Sequence, residues 1–212
     1  MPSSQYNQIN EIIEIITRLR PKHLLDIGPG FGKYGVLARE YLELWDGRNL
    51  YADWQHRIDC IEGHDKYITS LHRYIYSNIY TGDATRILPG LETRYDLVLM
   101  IDVLEHFDQG EGLKILQYLS QRGSHILVST PKFVNPQDDV FDNPFEIHRS
   151  EWKRKDFNSF KSRFIFRHHS FLIVLIGPRA REIGKAVIRR KRYLFLKKNF
   201  RFLRILKRAL PR

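Results

Sequence analysis

The chain has 212 residues, which is enough for one domain with a complete hydrophobic core and a short appendage. Its one cysteine, Cys60, lies in an apolar stretch, which excludes a disulfide within the chain and favours a reducing, cytoplasmic setting. The polar, uncharged start of the sequence predicts no secretory signal. No run of about 18 apolar residues occurs, so we expect no membrane span.

The net charge of +11 is distributed unevenly along the chain. Residues 179–212 contain 14 of the 35 lysines and arginines and one acid, Glu182, so they carry +13 and residues 1–178 carry −2. We therefore predict a nearly neutral domain over residues 1–178 and a basic extension over residues 179–212.

The first predicted element is a helix. Ser3 or Ser4 would cap it, and Pro21 would end it at about Leu19. Apolar stretches then alternate with helical patterns, and a polar and aromatic insertion at 46–56 interrupts them. The predicted strands are residues 23–27, 57–61, 78–80, 95–101 and 125–129, and the predicted helices are residues 32–44, 66–76 and 112–120.

The last part of the domain departs from this alternation. Ser150 is predicted to cap a short helix that opens near Trp152. Residues 163–168 and 171–176 predict two strands with almost no turn between them, a connection that only an antiparallel pair allows. Since strands that alternate with helices are parallel, we expect five parallel strands followed by an antiparallel hairpin.

A glycine-rich turn follows the first strand, in the sequence Asp26-Ile27-Gly28-Pro29-Gly30-Phe31-Gly32. Glycine permits a sharp turn and the close approach of a ligand, and the helix that follows adds free N–H groups. The third glycine comes one position earlier than in the dinucleotide pattern G-x-G-x-x-G, and Lys33 occupies the expected position. The phosphate-binding sequence G-x-x-x-x-G-K-[ST] does not occur.

The spacing Asp26-x-Gly28-x-Gly30-x-Gly32 resembles motif I of class I S-adenosylmethionine (SAM) dependent methyltransferases. The resemblance extends over about residues 20–178. It implies a Rossmann-like α/β fold of three layers, with a seven-stranded sheet in the order 3-2-1-4-5-7-6. It also implies SAM as the cofactor and S-adenosylhomocysteine (SAH) as the product left after methyl transfer.

Four acids stand at the carboxyl ends of the first four strands, the edge where ligands bind in this topology: Asp26, Glu62, Asp83 and Asp102. The resemblance implies that Glu62 accepts hydrogen bonds from both ribose hydroxyls. Asp83 would accept one from the adenine amino group, beside the Ala84 N–H. The three glycines would lie against the ribose and the amino-acid part, and Asp102 would line the methyl-transfer side. Asp26 would orient the glycine turn or contact the amino group of the ligand through water. Each acid taken alone could instead cap a helix.

The fourth strand ends in Asp102-Val103-Leu104-Glu105-His106, which is similar to the D-V-L-E-H motif of methyltransferases that act on small molecules, sugars and lipid-linked quinones. The N/D-P-P-Y/F tetrad of enzymes that methylate amide or nucleobase nitrogens is absent. His106 is a candidate catalytic base beside Asp102, and a structural role for this histidine is the alternative.

Residues 142–152 resemble the N-P-[FY]-x-x-H-x-S-x-W segment of methyltransferases associated with glycan modification, whose histidine points into the acceptor pocket. His148 is therefore the first candidate for the base that deprotonates an acceptor hydroxyl, and a structural histidine is again the alternative. The sequence has no H-x-x-x-H motif and no cluster of Cys and His ligands, so we expect no metal.

Residues 185–212 combine apolar side chains at three- and four-residue spacing with lysines and arginines on the remaining positions. Such a cationic amphipathic helix is typical of a segment that lies on an anionic membrane surface. The alternatives are nucleic-acid binding through phosphates, and a structural helix that packs against the body of the protein or forms an oligomer contact.

These patterns together predict a cytoplasmic enzyme whose tail rests on the inner face of the membrane. It would transfer a methyl group from SAM to a hydroxyl of a sugar, a glycolipid precursor or another small molecule. Two other functions remain open. One is an RNA methyltransferase whose tail contacts phosphates, and the other is a non-catalytic module that keeps the SAM-binding fold.

Overall fold

The structure is a computed structural model that describes residues 4–44, 53–133 and 136–209, with side chains up to residue 199. Ser3 and most of the predicted insertion at 46–56 lie outside these residues. The helices are α1 (Ile9–Leu19), α2 (Lys33–Glu43), α3 (Ser70–Ile75), α4 (Ala84–Ile87), α5 (Gln109–Gln121) and α6 (Ala180–Ala209). The strands are β1 (His23–Ile27), β2 (Arg57–Glu62), β3 (Asn78–Thr81), β4 (Leu97–Ile101), β5 (His125–Pro131), β6 (Arg163–Phe166) and β7 (Phe171–Ile176).

The seven strands form a sheet in the order β3-β2-β1-β4-β5-β7-β6. Strands β1 to β5 are parallel, whereas β7 is antiparallel to both of its neighbours, β5 and β6. In the centre of the sheet, Asp26 of β1 lies level with Cys60 of β2 and Leu99 of β4. The order, the parallel strands and the antiparallel hairpin confirm the predicted fold.

Hydrophobic clusters cover both faces of the sheet. Successive residues of β1, Leu24 and Leu25, belong to different clusters, because side chains alternate between the faces of a strand. One cluster joins the sheet to α1, α2, α3 and the start of α6, and the other joins it to α5 and the aromatic side chains of Trp152 and Phe157. Each fully buried leucine or isoleucine contributes roughly 1.5–3 kcal/mol, so this three-layer arrangement supplies the main stabilisation.

The first helix begins later than predicted. Residues Tyr6–Gln8 form a 3-10 turn and α1 starts at Ile9, so Ser4 does not cap it. The physical reason lies in Gln8, which is fully buried and hydrogen-bonded to residues of the sheet rather than exposed on a helix. The predicted end is confirmed, since α1 stops at Leu19 and Arg20 adopts a positive φ of 47° before Pro21.

Two other helices differ from their predicted bounds. The stretch 66–76 divides into a 3-10 turn, Asp65–Tyr67, and α3, because Thr69 is extended and its hydroxyl lies 3.0 Å from His72 Nδ1 in a capping arrangement. Ser150 caps no helix. Its hydroxyl instead accepts a hydrogen bond from the Trp152 indole at 2.8 Å, and a 3-10 turn follows only at Arg154–Phe157.

The sixth strand ends at Phe166 rather than at residue 168. The His168 ring turns the chain there, because its Nδ1 accepts hydrogen bonds from the backbone N–H groups of Ser170 and Phe171, at 3.3 and 3.1 Å. The seventh strand, Phe171–Ile176, has its predicted bounds.

The C-terminal helix α6 has two parts. Ala180, Ile183 and Val187 are buried against the body, and Lys191 forms an ion pair with Glu11 of α1. Four consecutive apolar side chains then become exposed, from Tyr193 to Leu196, so every face of the helix is open to solvent at that level. Among the described residues no helix is both long and apolar enough to cross a bilayer.

Candidate active site

A cavity of about 230 Å³ opens at the carboxyl edge of the parallel strands. Its lining includes eight of the residues predicted for the site: Asp26, Gly28, Gly30, Glu62, Asp83, Ala84, Asp102 and His106. Two predicted residues, Gly32 and His148, do not line it. Gly32 has a φ of +85° and precedes α2, whereas the His148 ring lies 5.0 Å from the ring of His106.

The glycine turn is held by the strands around it. Gly28 has a φ of +65°, and its N–H donates a hydrogen bond to the Ile61 carbonyl at 2.9 Å. A Cβ at this position would lie 2.6 Å from Val103 Cγ2, so only glycine fits between the turn and the end of β4. This close packing explains the first glycine of the motif.

His72 supports the turn from behind, a role that sequence analysis missed. Its Nε2 lies 2.8 Å from the carbonyl oxygen of Gly30, and its ring is almost fully buried. Because a carbonyl oxygen only accepts, Nε2 carries the proton and Nδ1 is left to accept the Thr69 N–H at 3.2 Å. The histidine therefore ties the turn to the start of α3.

Asp26 is buried beneath the turn and accepts a hydrogen bond from the Tyr76 hydroxyl at 2.7 Å. Burial raises the pKa of Asp26 to about 7, and the Tyr76 hydrogen bond opposes part of that rise. Tyr76 is the residue directly after α3, and no local pattern in the sequence indicated that it would contact Asp26.

Glu62 ends β2 with its side chain buried and facing the cavity. Its Oε1 accepts the backbone N–H of His64 at 2.9 Å. Burial raises the pKa of Glu62 to about 7 against the lowering effect of backbone N–H groups, those of His64 and Gly30 among them. A carboxylate in this position can accept two hydroxyl hydrogen bonds from a ligand.

Asp83 lines the cavity and also caps a helix. Its Oδ1 accepts hydrogen bonds from the backbone N–H and the hydroxyl of Thr85, both at 2.8 Å, at the start of α4. The cap orients the loop so that Asp83 and Ala84 both face the cavity. The two interpretations of this acid, cap and ligand contact, are therefore compatible.

Asp102 follows β4 with a φ of +55°, a conformation that residues other than glycine adopt rarely. Its Oδ2 accepts a hydrogen bond from Gln8 Nε2 at 2.7 Å, whereas Oδ1 is buried with no hydrogen-bond partner among the described residues. Burial raises the pKa of Asp102 to about 7, and the bond from Gln8 and the charge of Lys33 oppose that rise. The strained backbone aims the carboxyl at the cavity.

A second group of titratable side chains, one glutamate and two histidines, lies close to Asp102. Potential metal-ligating atoms of Glu105, His106 and His148 lie within 4.8 Å of one another. His106 Nδ1 lies 3.2 Å from the Ile147 carbonyl, and burial lowers the pKa of His106. Burial is the main reason that the pKa of Glu105 is raised to about 8, and the neighbouring charge of Asp102 contributes to this rise. Sequence analysis predicted neither the role of Glu105 nor this grouping.

The segment 143–149 crosses the cavity. Its lining residues are Asn143, Pro144, Phe145, Glu146 and Arg149. The Phe145 ring packs so closely on Gly63 that a Cβ there would lie 2.8 Å from it. Sequence analysis singled out this segment through its N-P-[FY]-x-x-H resemblance but gave a role to His148 alone. Asn143 accepts the Phe145 N–H at 3.0 Å, which holds the turn at the start of the segment.

Comparisons with known proteins identify the fold. No protein-family model matches the chain, and the curated proteins gave no match. PigF with SAH is similar with a TM-score of 0.51 and 14% identity, over 79% of this chain and 54% of PigF. An O-methyltransferase family protein from Burkholderia thailandensis has a TM-score of 0.55 and 12% identity, over 81% of this chain and 56% of that protein. The N-terminal domain of EvdMO1 in the presence of SAH and D-fucose has a TM-score of 0.55 and 13% identity, over 84% of this chain and 85% of that domain.

The chain spans about half the length of the first two of these proteins, and almost all of the EvdMO1 domain. At these identities the likeness concerns the fold alone. Together with the sheet order, it shows that the chain has the Rossmann-like fold of class I methyltransferases.

Proposed function

We propose that this protein is a SAM-dependent methyltransferase whose acceptor is a hydroxyl of a sugar, a glycolipid precursor or another small molecule. The observation that carries the proposal is the convergence of three strand-end carboxyls, Asp26, Glu62 and Asp102, with the glycine turn around one cavity. When bound, SAM would supply an electrophilic methyl group on a positively charged sulfur. Neighbouring structures that were solved with SAH support this choice of cofactor.

The charges of these residues fit a cationic ligand. Burial raises the pKa of all three carboxyls to about 7, because the loss of water disfavours their ionised forms more than the hydrogen bonds they accept favour them. Asp102 Oδ1 also lacks a partner among the described residues. A ligand with ammonium and sulfonium groups would favour the ionised carboxyls, so binding and ionisation would support each other.

We assign a part of the cofactor to each of these lining residues. The Glu62 carboxylate would accept a charge-assisted hydrogen bond from each of the two ribose hydroxyls. Asp83 Oδ2 would accept a hydrogen bond from the adenine amino group, since Oδ1 already caps α4. The Ala84 N–H would lie beside the adenine. The backbone of Gly28 and Gly30 would lie against the amino-acid part.

We place the acceptor at the end of the cavity formed by Asp102, His106 and the segment 143–149. In the simplest case the imidazole of His148 or His106 takes the hydroxyl proton while the acceptor oxygen approaches the methyl carbon, and positioning supplies much of the rate. Glu146 and Arg149 offer polar groups suited to several hydroxyls. The EvdMO1 domain, which was solved in the presence of D-fucose, also supports a sugar-like acceptor.

Calorimetric titration of SAM and SAH into the wild type, Glu62→Gln and Glu92→Gln tests the cofactor. Glu92 is exposed and outside the cavity, so its variant is the matched control. We expect micromolar binding by the wild type and the control. Glu62→Gln should bind about 10- to 100-fold more weakly, as expected when hydrogen bonds to a charged group worth roughly 1.5–3 kcal/mol are weakened. A folded wild type that binds neither compound would overturn the proposal.

A second measurement tests the reaction. The wild type is incubated with SAM and a panel of sugars and glycolipid precursors, and acceptors are examined by mass spectrometry for the gain of one CH₂. Methylation of an RNA but of no small molecule would replace the proposed acceptor class, and cofactor binding without any product would favour a non-catalytic module.

We also propose that the part of α6 beyond Lys191 docks on an anionic membrane surface. Its exposed aromatic and aliphatic side chains, from Tyr193 to Leu196, stand among basic residues that include Arg192, Lys197 and Lys198. Apolar insertion and attraction to anionic lipids, about 1 kcal/mol for each basic residue near the surface, would act together.

A further inference from the structure

We propose that Glu105, His106 and His148 form a binding site for one divalent first-row transition-metal ion at the acceptor end of the cavity. The binding of the ion follows from the geometry of these side chains alone. Its role in catalysis rests on the function proposed above. The inference replaces the expectation from the sequence that no metal is bound.

The first observation is the arrangement of the donors. One potential ligand atom from each of the three side chains lies within 4.8 Å of the other two, a spacing that a single ion between them can bridge. The two imidazole rings are 5.0 Å apart and tilted by 41°, so they are not stacked face to face. Two imidazoles and one carboxylate form a ligand set suited to zinc, manganese, iron or cobalt.

The second observation is the deep burial of the Glu105 carboxyl. Glu105 is 1% exposed, and its Oε2 has no hydrogen-bond partner among the described residues. Leaving a buried carboxyl oxygen unsatisfied is costly, and a cation would remove that cost.

The third observation is the way the ligands are held. His106 Nδ1 faces the Ile147 carbonyl at 3.2 Å, and since a carbonyl only accepts, Nδ1 carries the proton and Nε2 keeps the lone pair. A histidine that donates its other ring N–H to a backbone carbonyl is the usual supporting arrangement for a metal ligand. The Glu105 carbonyl accepts the N–H groups of Arg149 and Ser150, at 2.8 and 3.1 Å, which fixes the segment bearing His148 against the turn bearing Glu105.

An ion at this place would lie beside the cavity that His106 lines. Three protein ligands leave coordination positions open for an oxygen of the acceptor. Both imidazoles would then be ligands rather than bases. The ion would favour the ionised form of the acceptor hydroxyl, whose proton would pass to solvent through the open cavity.

The test uses the full chain without a histidine tag, freed of metal by chelation and titrated with Co²⁺ while visible absorbance is recorded, and with Zn²⁺ by calorimetry. We expect one equivalent to bind, with the absorption of a nitrogen- and oxygen-ligated Co²⁺. The variants His148→Ala and Glu105→Gln should bind at least about 10-fold more weakly. His169→Ala is the matched control, because His169 is exposed and outside the cavity, and it should bind like the wild type.

Absence of stoichiometric binding by the wild type, or equal binding by all three variants, would overturn the proposal. His148 is only half-buried, so its variant should keep the wild-type melting temperature if Glu105→Gln fails to fold. SAH titration of the metal-free wild type separates the two proposals. SAH binding without any metal binding refutes the metal site alone, and metal binding without SAH binding refutes the methyltransferase alone.

Discussion

Gln8 and Asp102 are joined by a hydrogen bond of 2.7 Å from the Gln8 amide to Asp102 Oδ2, across 94 positions of the chain. Oε1 of the same amide accepts a hydrogen bond from the Ser129 hydroxyl. Both ends of the Gln8 side chain are therefore used, and its orientation is fixed by the two partners. This hydrogen bond holds the Asp102 carboxyl at the cavity. It also explains why the N-terminal segment packs on the sheet before α1 begins.

Replacing Gln8 should affect stability and the site together. In Gln8→Ala, the buried Asp102 and Ser129 groups lose their partners, so we expect a loss of about 1–3 kcal/mol in the free energy of unfolding. Urea denaturation measures this loss. Gln8→Glu keeps the shape of the side chain but places a carboxylate against Asp102, so it should be more destabilised at pH 8 than at pH 5. Equal stability of Gln8→Ala and wild type would show that the contact is not maintained in solution.

Gly28→Ala tests the packing of the glycine turn. The positive φ costs about 1–2 kcal/mol for an alanine. The contact of 2.6 Å with Val103 adds roughly 1–3 kcal/mol of overpacking. Gly110→Ala is the matched control, because Gly110 lies in α5 with nothing within 4 Å of a Cβ. It should raise stability by roughly 0.5–1 kcal/mol.

The two costs at Gly28 can be separated by a second substitution. Val103→Ala removes the side chain that a Cβ at residue 28 would meet, so it should recover part of the loss in Gly28→Ala but not the part due to the positive φ. Purely additive unfolding free energies for the double variant would contradict the contact, because residues that touch are expected to couple.

Asp26 should make the unliganded protein less stable as the pH rises. Its folded-state pKa of about 7 lies above its ordinary value of 3.8, so between these values the folded state holds a proton that the unfolded state has released. That contribution to stability is present at low pH and is lost as the pH rises through about 7. Asp26→Asn does not titrate, and its carbonyl can still accept the Tyr76 hydroxyl. Its stability relative to wild type should increase by up to about 2 kcal/mol between pH 5.5 and pH 8.

Denaturant unfolding of both proteins across this pH range gives the comparison. Asp138→Asn is the control for the loss of one carboxyl, because Asp138 is exposed. A difference between Asp26→Asn and wild type that stays constant from pH 5.5 to pH 8 would mean that Asp26 is already ionised at pH 5.5.

The local part of the site could be predicted from the sequence, and the supporting part could not. The glycine turn and the acids after each strand are short patterns whose position in the sheet follows from the alternation of elements. Gln8, His72 and Tyr76 act on partners that are 94, 42 and 50 positions away. In the sequence each occupies an ordinary position in or beside a helix, and only folding brings it to its carboxyl or carbonyl group.

The grouping of Glu105, His106 and His148 was missed for a related reason. Sequence patterns for metal sites depend on ligands that are close along the chain, whereas here a turn after β4 meets a segment beyond β5. The three- and four-residue spacing of the tail was equally ambiguous, because a helix packed on the body and a helix on a membrane share it. Within α6 the structure shows Val187 buried against the body and Phe195 exposed, so packing on the body accounts for the first part of the helix alone.

The last prediction concerns the tail, and the contacts of α6 with the body decide where it can be truncated. Deleting residues 185–212 would remove Val187 from the core and the ion pair between Lys191 and Glu11, so loss of binding would be confounded with unfolding. A chain that ends after Lys191 keeps these contacts. We expect it to lose sedimentation with vesicles that contain phosphatidylserine, while its SAH affinity and melting temperature stay those of the full chain.

The full chain should not bind purely zwitterionic vesicles, because attraction of its basic residues to anionic lipid is needed to bring the apolar face to the surface. A full-length variant with Phe195→Ser and Leu196→Ser keeps every charge, so weaker sedimentation of this variant identifies insertion of the apolar side chains. Salt-sensitive binding to RNA, with equal sedimentation of the full and truncated chains, would contradict membrane docking and favour contact with phosphates.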